Sequence, residues 1–334
     1  MAIQTRSTPV KEENELLVSL EKYVDTYHYG AISYTGYHRV KNLVQDKHFS
    51  FGQAAREAGI DESTVRGWLG QQKTPQVVKA VKRLQEAGLL PLTLSSEQLP
   101  ELNRLAAYLH WTGFLGHQQE TWGYNGVICG NDRELLEDIQ TDTLSSFGIE
   151  STIEASKVKG MRLEFGTGFA HYARLLECMG VRTGSQYGTN SDKERLTFKH
   201  LQFPEYISNL IQQSEDDGTR NQDEKRLLLL KDFLSVMFTT KSRKKQGCLE
   251  LELNKCSSKL GAQEYLNEVL RLINAVCPWL AKNARAYFSR TTSPFGDRYS
   301  PSLYLSNAKL GVFWDNDPLL FTSTLNPVRI QKGV

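Results

Sequence analysis

Apolar residues recur at helical spacing in ELLVSLEKYV (15–24), where Leu16, Leu17, Leu20, Tyr23 and Val24 share a face, and the pattern predicts a helix there behind ten polar, frayed residues. The aromatic, glycine-containing stretch Tyr27 to Tyr37 reads as a loop. From Arg39 short helical patterns follow one another as VKNLV, FGQAAREA, ESTVRGWL and PQVVKAVKRLQEA, the last stopped by Gly88. Two prolines and a serine pair in LLPLTLSSEQLP (89–100) mark a linker. Beyond it a helix at 101–112 is followed by alternating extended runs, a helix at 132–147, strands at 151–158 and 161–166 turning at Lys159-Gly160, and a helix at 169–179. The same order then restarts with a helix at 223–240, an extended GCLELELN (247–254), a helix at 261–276 and strands at 284–291 and 301–307. No clear counterpart of the 169–179 helix follows.

The expected fold class is therefore α+β. An N-terminal helix and loop (1–38) lead into a helical domain (39–92), and two αββαββα repeats (101–210 and 223–330) pack against each other as an internal pseudo-dimer. With 334 residues there is room for about two ordinary domains and a small module. A hydrophobic share of 40% with only 10 prolines excludes a disordered or collagen-like chain.

No run of 18 apolar residues occurs and the N-terminus lacks a signal-length apolar segment, so a cytoplasmic protein is expected, nucleoid-associated or nuclear in a eukaryote. Five cysteines (Cys129, Cys178, Cys248, Cys256, Cys277) form no C-x-x-C pair, which predicts reduced, buried thiols and no zinc site. Neither G-x-G-x-x-G nor G-x-x-x-x-G-K-[ST] is present, and no small-molecule cofactor is expected. The formal charge of +2 conceals an asymmetry: residues 1–100 carry a net +1, residues 101–240 a net −6, and residues 241–334 a net +7.

In FGQAAREAGIDESTVRGWL (51–69) the small Ala55 precedes Gly59 by four positions, and Val65 stands six further on. Two short helices that cross steeply need a small residue at their contact, a turn residue that tolerates positive φ, and an apolar anchor on the second helix. Asp61 suits the N-cap of that second helix. Val65, Trp68 and Leu69 then point inward, while Glu62, Ser63, Arg66 and Gly67 point outward with Thr64 at the margin. As a helix-turn-helix this module would place Ser63, Thr64 and Arg66 in a DNA major groove, Arg66 suiting guanine O6 and N7. As an ordinary helical hairpin it would only pack.

The helices LAAYLHWTG (105–113) and FLSVMFTTKS (233–242), with YARLLECMGVRTGSQ (172–186) and LQFPEYI (201–207), make residues 101–310 resemble the LAGLIDADG homing-endonuclease family in its single-chain, two-repeat form. The resemblance implies two motif helices side by side, each ending in a carboxylate before a glycine, and a pair of carboxylates that holds Mg²⁺ for DNA cleavage. In this chain Thr112 and Lys241, which lies 129 residues later, occupy the acid positions, and Gly113 and Ser242 the glycine positions. Hydroxyl and ammonium are unsuited to a hard cation, so no catalytic or metal-binding residue is expected. Glu120 and Asp232 are nearby carboxylates, but neither sits at a motif-helix end.

The resemblance also turns the polar face of each sheet towards double-stranded DNA. That nominates Lys157, Lys159 and Arg162 in the first repeat, and Arg243, Lys244, Lys245, Arg285, Tyr287, Ser289 and Arg298 in the second. Arg285, Tyr287 and Ser289 alternate with Ala286 and Phe288, as in a strand with one wet and one packed face. The K-S-R-K-K run also reads as a solvated hairpin tip. Glu250 and Glu252 fall on the side assigned to DNA, where phosphates would repel them.

The leading expectation is a sequence-specific duplex-DNA-binding protein with a degenerate LAGLIDADG core, acting as a monomer through its internal pseudo-two-fold. A regulatory role follows by analogy with the WhiA-family regulators, which join the same two kinds of module in the opposite order. The alternatives are a Mg²⁺-dependent homing endonuclease and an RNA-binding maturase.

Overall fold

The computed structural model describes residues 16–118, 123–155, 160–183, 202–217, 223–245, 248–253, 256, 258–293 and 296–306. The chain divides into two compact units, Met1–Leu99 and Pro100–Val334. Among the described residues no helix is long and apolar enough to cross a membrane.

The first unit runs β1 (Leu16–Val18), α1 (Leu20–Val24), α2 (Gly30–Gln45), α3 (Phe51–Ala58), α4 (Glu62–Val65) with a π turn at Arg66–Gly70, α5 (Gln76–Glu86) and β2 (Leu92–Thr93). Three sequence expectations are corrected here. The helix expected from residue 15 begins only at Leu20, because Leu16 and Val18 pair with Thr93 and Leu92 and Ser19 caps the helix by accepting from the Lys22 amide at 3.1 Å. The stretch expected as a loop up to Tyr37 is mostly helix α2, whose Val40 and Leu43 are buried while Tyr37 meets Trp68 edge-on at 6.0 Å. Tertiary packing has overridden the middling propensity of its aromatic residues. Finally, the first half of the expected linker belongs to the unit's body, since Leu89, Leu90, Leu92 and Leu94 are buried.

The second unit opens with α6 (Leu99–Trp111), β3 (Gly113–Gln118), β4 (Gly123–Gly130), α7 (Arg133–Phe147), β5 (Ser151–Ala155), β6 (Met161–Phe165) and α8 (Ala170–Cys178), with a 3₁₀ turn before α8 at Thr167–Phe169. After α9 (Glu205–Asp217) come α10 (Glu224–Lys241), β7 (Ser242–Lys245), β8 (Cys248–Glu252), α11 (Lys259–Val276), α12 (Pro278–Asn283), β9 (Arg285–Ser293) and β10 (Gly296–Ser306). The αββαββ order thus occurs twice, the second time with the short α12 added between α11 and β9. The two sheets repeat the same spatial order, β3-β4-β6-β5 and β7-β8-β10-β9, with every described pairing between their strands antiparallel. The second repeat's region beyond Ser306 lies outside the described residues.

Helices α6 and α10 lie against each other at the centre of this unit. Asn103 Nδ2 donates to the Leu229 carbonyl at 3.0 Å, and Trp111 Nε1 donates to the Phe233 carbonyl at 3.1 Å, so the contacts advance along both helices in the same direction. The Tyr206 hydroxyl of α9 donates to Asn103 Oδ1 at 2.7 Å, which satisfies a fully buried amide. At the end of α6 the chain turns directly into β3 through Gly113, where a Cβ would stand 2.3 Å from the Val127 carbonyl oxygen and 3.1 Å from Leu109 Cα. Only glycine fits that approach, and it fixes where the helix ends and the sheet begins.

Candidate nucleic-acid interface

In the first unit, α3 and α4 meet on a core of Val40, Ala55 and Val65, with Phe51, Ile60, Trp68 and Leu69 packed against it. Ala55 is 3% exposed and Val65 fully buried, as their spacing requires. Ser50 and Gln53 close a capping box at the start of α3, and Gly59 ends it at φ 69°. One detail differs from expectation: the Asp61 carboxylate makes no cap hydrogen bond, and its backbone carbonyl instead accepts from the Thr64 and Val65 amides at 3.0 and 3.1 Å. Ser63 and Arg66 are exposed and Thr64 is half-buried. Arg66 lies along its own helix, donating to Glu62 Oε1 through Nε at 3.0 Å and Nη2 at 2.7 Å. An exposed i,i+4 pair of this kind is worth only about 0.3–0.5 kcal/mol and is readily exchanged for another acceptor. After Val65 the helix widens into the π turn, with the Gln71 amide donating to the Arg66 carbonyl at 2.9 Å.

In the second unit, Thr112 follows the last residue of α6 and Lys241 is the last of α10. The Thr112 hydroxyl donates back to the Tyr108 carbonyl at 3.1 Å, and the Cys129 amide donates to the Thr112 carbonyl at 3.1 Å. Lys241 is half-buried. Desolvation holds its ammonium down to about 8, against the opposing pull of Glu252 and Cys129. Cys129, whose amide is bonded to the Thr112 carbonyl, and Lys241 act on each other's charge, so the two helix ends lie within electrostatic reach of each other. They offer a hydroxyl and an ammonium, which do not fit a divalent cation. Among the described residues no three His, Cys, Asp or Glu side chains gather where a metal ion could be held. Asp232 lies nine residues before Lys241 on α10 and is ion-paired with Arg104 at 3.8 Å, its carboxyl raised by burial. Glu120 lies outside the described residues.

The register sorts the remaining candidates. In the second sheet Glu250 is opposite Tyr304 and Tyr304 opposite Arg285, so these residues share one side with Glu252, Ser302 and Tyr287. Leu249, Leu251, Leu303 and Leu305 line the other side and are buried. In the register Arg243 stands opposite Glu250, Lys244 opposite Leu249 and Lys245 opposite Cys248. Residues 242–245 are a paired strand, not a free hairpin tip. Glu250 is only 8% exposed and accepts from the Tyr304 hydroxyl, whose ring meets Tyr287 edge-on at 4.7 Å. Arg285, Tyr287, Ser289 and Arg298 are exposed. So are Ala286 and Phe288, which corrects the expectation of a packed inner face on β9. The cause is that β9 is an edge strand.

In the first sheet, Arg162 bonds Glu154 Oε2 at 3.0 Å and lies 3.1 Å from Glu164 Oε1. Cys129 pairs with Arg162 in register, and partial desolvation pushes its thiol up. Lys157 and Lys159 lie outside the described residues. Of the described free cysteines, Cys178 and Cys256 are buried and Cys277 is half-buried, but Cys129 is exposed, contrary to the expectation for all five. Sequence reasoning missed Arg290, exposed beside Phe288, because strict alternation assigned it to a packed face. It also missed the Tyr304–Glu250 contact, whose only sequence trace is the polar side of each alternating run.

No protein-family model matches the chain, and no curated protein matches it in sequence. Among solved structures it is similar to the homing endonuclease I-WcaI bound to its DNA recognition sequence, with 9% identity over 80% of this chain and 97% of that one and a TM-score of 0.37. It is also similar to the N-terminal LAGLIDADG domain of WhiA, with 8% identity over 75% of this chain and 95% of that one and a TM-score of 0.33. By its own element order, repeated sheet order and adjoining central helices, the second unit is LAGLIDADG-like in fold.

Proposed function

We propose that the protein binds double-stranded DNA at a specific sequence, does not cut it, and acts as a regulator of the genes so marked. The observation that carries this reading is the pair of adjoining helix ends, Thr112 and Lys241, set beside a sheet whose outward side holds Arg285, Tyr287 and Ser289. A phosphodiester cleavage assisted by two metal ions needs anionic oxygen ligands at its centre. An ammonium there repels the cation and favours a phosphate oxygen. Ser63 and Arg66, exposed, and the half-buried Thr64 supply a second reading element on the first turns of a helix whose buried side is fixed by Val65.

Selection of bound fragments from a random duplex library tests the proposal. A long asymmetric motif is expected, because the two repeats carry different side chains at equivalent places. Recovery of no motif, or preference for structured RNA in a parallel selection, would contradict it. In the same selection Arg66→Ala is expected to relax preference at one position, at a cost of about 1–3 kcal/mol there, and to leave the rest of the motif unchanged.

A further inference from the structure

We infer that Glu62 is a positioning residue for the reading helix of the first unit: seated over Gly52, its carboxylate fixes the Arg66 guanidinium so that the outer end of the fork is presented to a guanine. This rests on the duplex-binding reading above.

The bonding decides which edge of Arg66 stays open. Arg66 Nε and Nη2 both donate to Glu62 Oε1, at 3.0 and 2.7 Å, so one long edge of the planar guanidinium is taken. The second N–H of Nη2 and one N–H of Nη1 then remain side by side at the end of the group. Two parallel donors of that kind match guanine O6 and N7. The guanine can therefore be met with the bond to Glu62 intact.

Glu62 is itself placed by the neighbouring helix. Gly52, in the first turn of α3, has no side chain where the carboxylate lies: a Cβ there would stand 2.8 Å from Glu62 Oε2 and 3.3 Å from its Cδ. Arg56, one turn on in α3, is directed to the Gly52 carbonyl at 3.3 Å. From Glu62 the i,i+4 spacing draws the Arg66 guanidinium back towards the beginning of α4. In a helix-turn-helix that beginning is the end of the second helix that enters the groove.

The pair acts in two ways on recognition. A long arginine side chain spreads over many rotamers, and selecting one before binding leaves less ordering for the complex. The carboxylate also repels phosphates, which lowers affinity for sequences that offer Arg66 no guanine.

The test measures binding of the full chain by competition anisotropy to the selected duplex, to duplexes with each other base at the position that Arg66→Ala relaxes, and to a duplex of mixed sequence. Glu62→Ala is expected to lower discrimination at that position by about threefold or more and to raise affinity for the mixed duplex by about twofold. Glu62→Gln keeps a neutral acceptor and is expected to recover part of the discrimination. Gly52→Ala is expected to lower the same discrimination by about twofold with an unchanged or raised melting temperature, because alanine is the better helix former and only the flexible carboxylate has to move. A purely structural role would not separate those two readouts. Unchanged or increased discrimination in Glu62→Ala, with Arg66→Ala still relaxing the position, would overturn the inference and leave duplex binding intact. Arg66→Ala without effect at any position would instead remove the reading of the first unit on which the inference rests.

Discussion

Replacing Trp111 with alanine is expected to remove about 3–5 kcal/mol from the stability of the second unit, the range for truncating a large buried aromatic. Trp111 is fully buried at the end of α6, and its ring lies 5.6 Å from that of Phe233 and 5.8 Å from that of Phe203. Its indole N–H also donates to the Phe233 carbonyl on α10, a bond that ties the two central helices together. Truncation therefore opens a cavity and removes a buried hydrogen bond between the two central helices. Trp111→Phe keeps most of the packing and loses the hydrogen bond, while the Phe233 carbonyl keeps its own helical partner, so it should cost less, about 0.5–1.5 kcal/mol for the bond. Urea unfolding followed by circular dichroism measures both. A loss below about 1 kcal/mol for Trp111→Ala would mean that α6 and α10 do not pack as described.

Lys241→Met is expected to stabilise the protein at pH 7 by about 1–3 kcal/mol, from a worth of about 1.4 kcal/mol per pKa unit less the lost attraction to Glu252. The ammonium of Lys241 is held at about 8 by desolvation, below its ordinary 10.5. Below 8 the group is charged both folded and unfolded, and the native chain bears the full penalty. Between 8 and 10.5 it is neutral in the fold but still charged in the unfolded chain, so native stability rises with pH across that window. The advantage of Lys241→Met should accordingly shrink as the pH is raised from 8 to 10.5. Thermal melts of both chains across this range check the sign. An advantage that grows with pH would show that the lysine is stabilised by a partner and not penalised by burial. The same residue should matter oppositely for binding, because Lys241→Met removes a cation from the proposed phosphate site.

Much of the second unit was legible because each of its elements carries its own period. The alternation in CLELELN, the helical spacing of FLSVMFTT and the return of both in order needed no tertiary information, and Leu249, Leu251 and Leu253 are indeed buried on one side. The spacing of Ala55, Gly59 and Val65 was legible for a steric reason, since only small, left-handed and apolar residues fit those three points. What escaped the sequence depended on partners distant in the chain. Leu16 and Val18 form a strand only because Leu92 and Thr93 come back to pair with them. Helix α2 extends through Tyr34 and Tyr37 because Trp68 receives Tyr37 across a turn. Phe288 and Arg290 look like inward residues until the edge position of β9 is known. Arg162 looked like a free cation because its two carboxylates come from register, one on the neighbouring strand and one two residues along its own. The substitution of Thr112 and Lys241 for acids was visible in the sequence, whereas the desolvation of Lys241 was not.

The most direct test of metal-independent, non-cleaving recognition uses the duplex recovered by selection, incubated with the full chain in excess Mg²⁺ and, in parallel, in a chelator. Affinity is read by anisotropy and strand integrity on a denaturing gel. Equal affinity in both conditions with both strands intact is the predicted result. Strand scission that appears only with Mg²⁺ would contradict the account, and would mean that carboxylates other than the residues at the two helix ends assemble a metal site on the bound DNA.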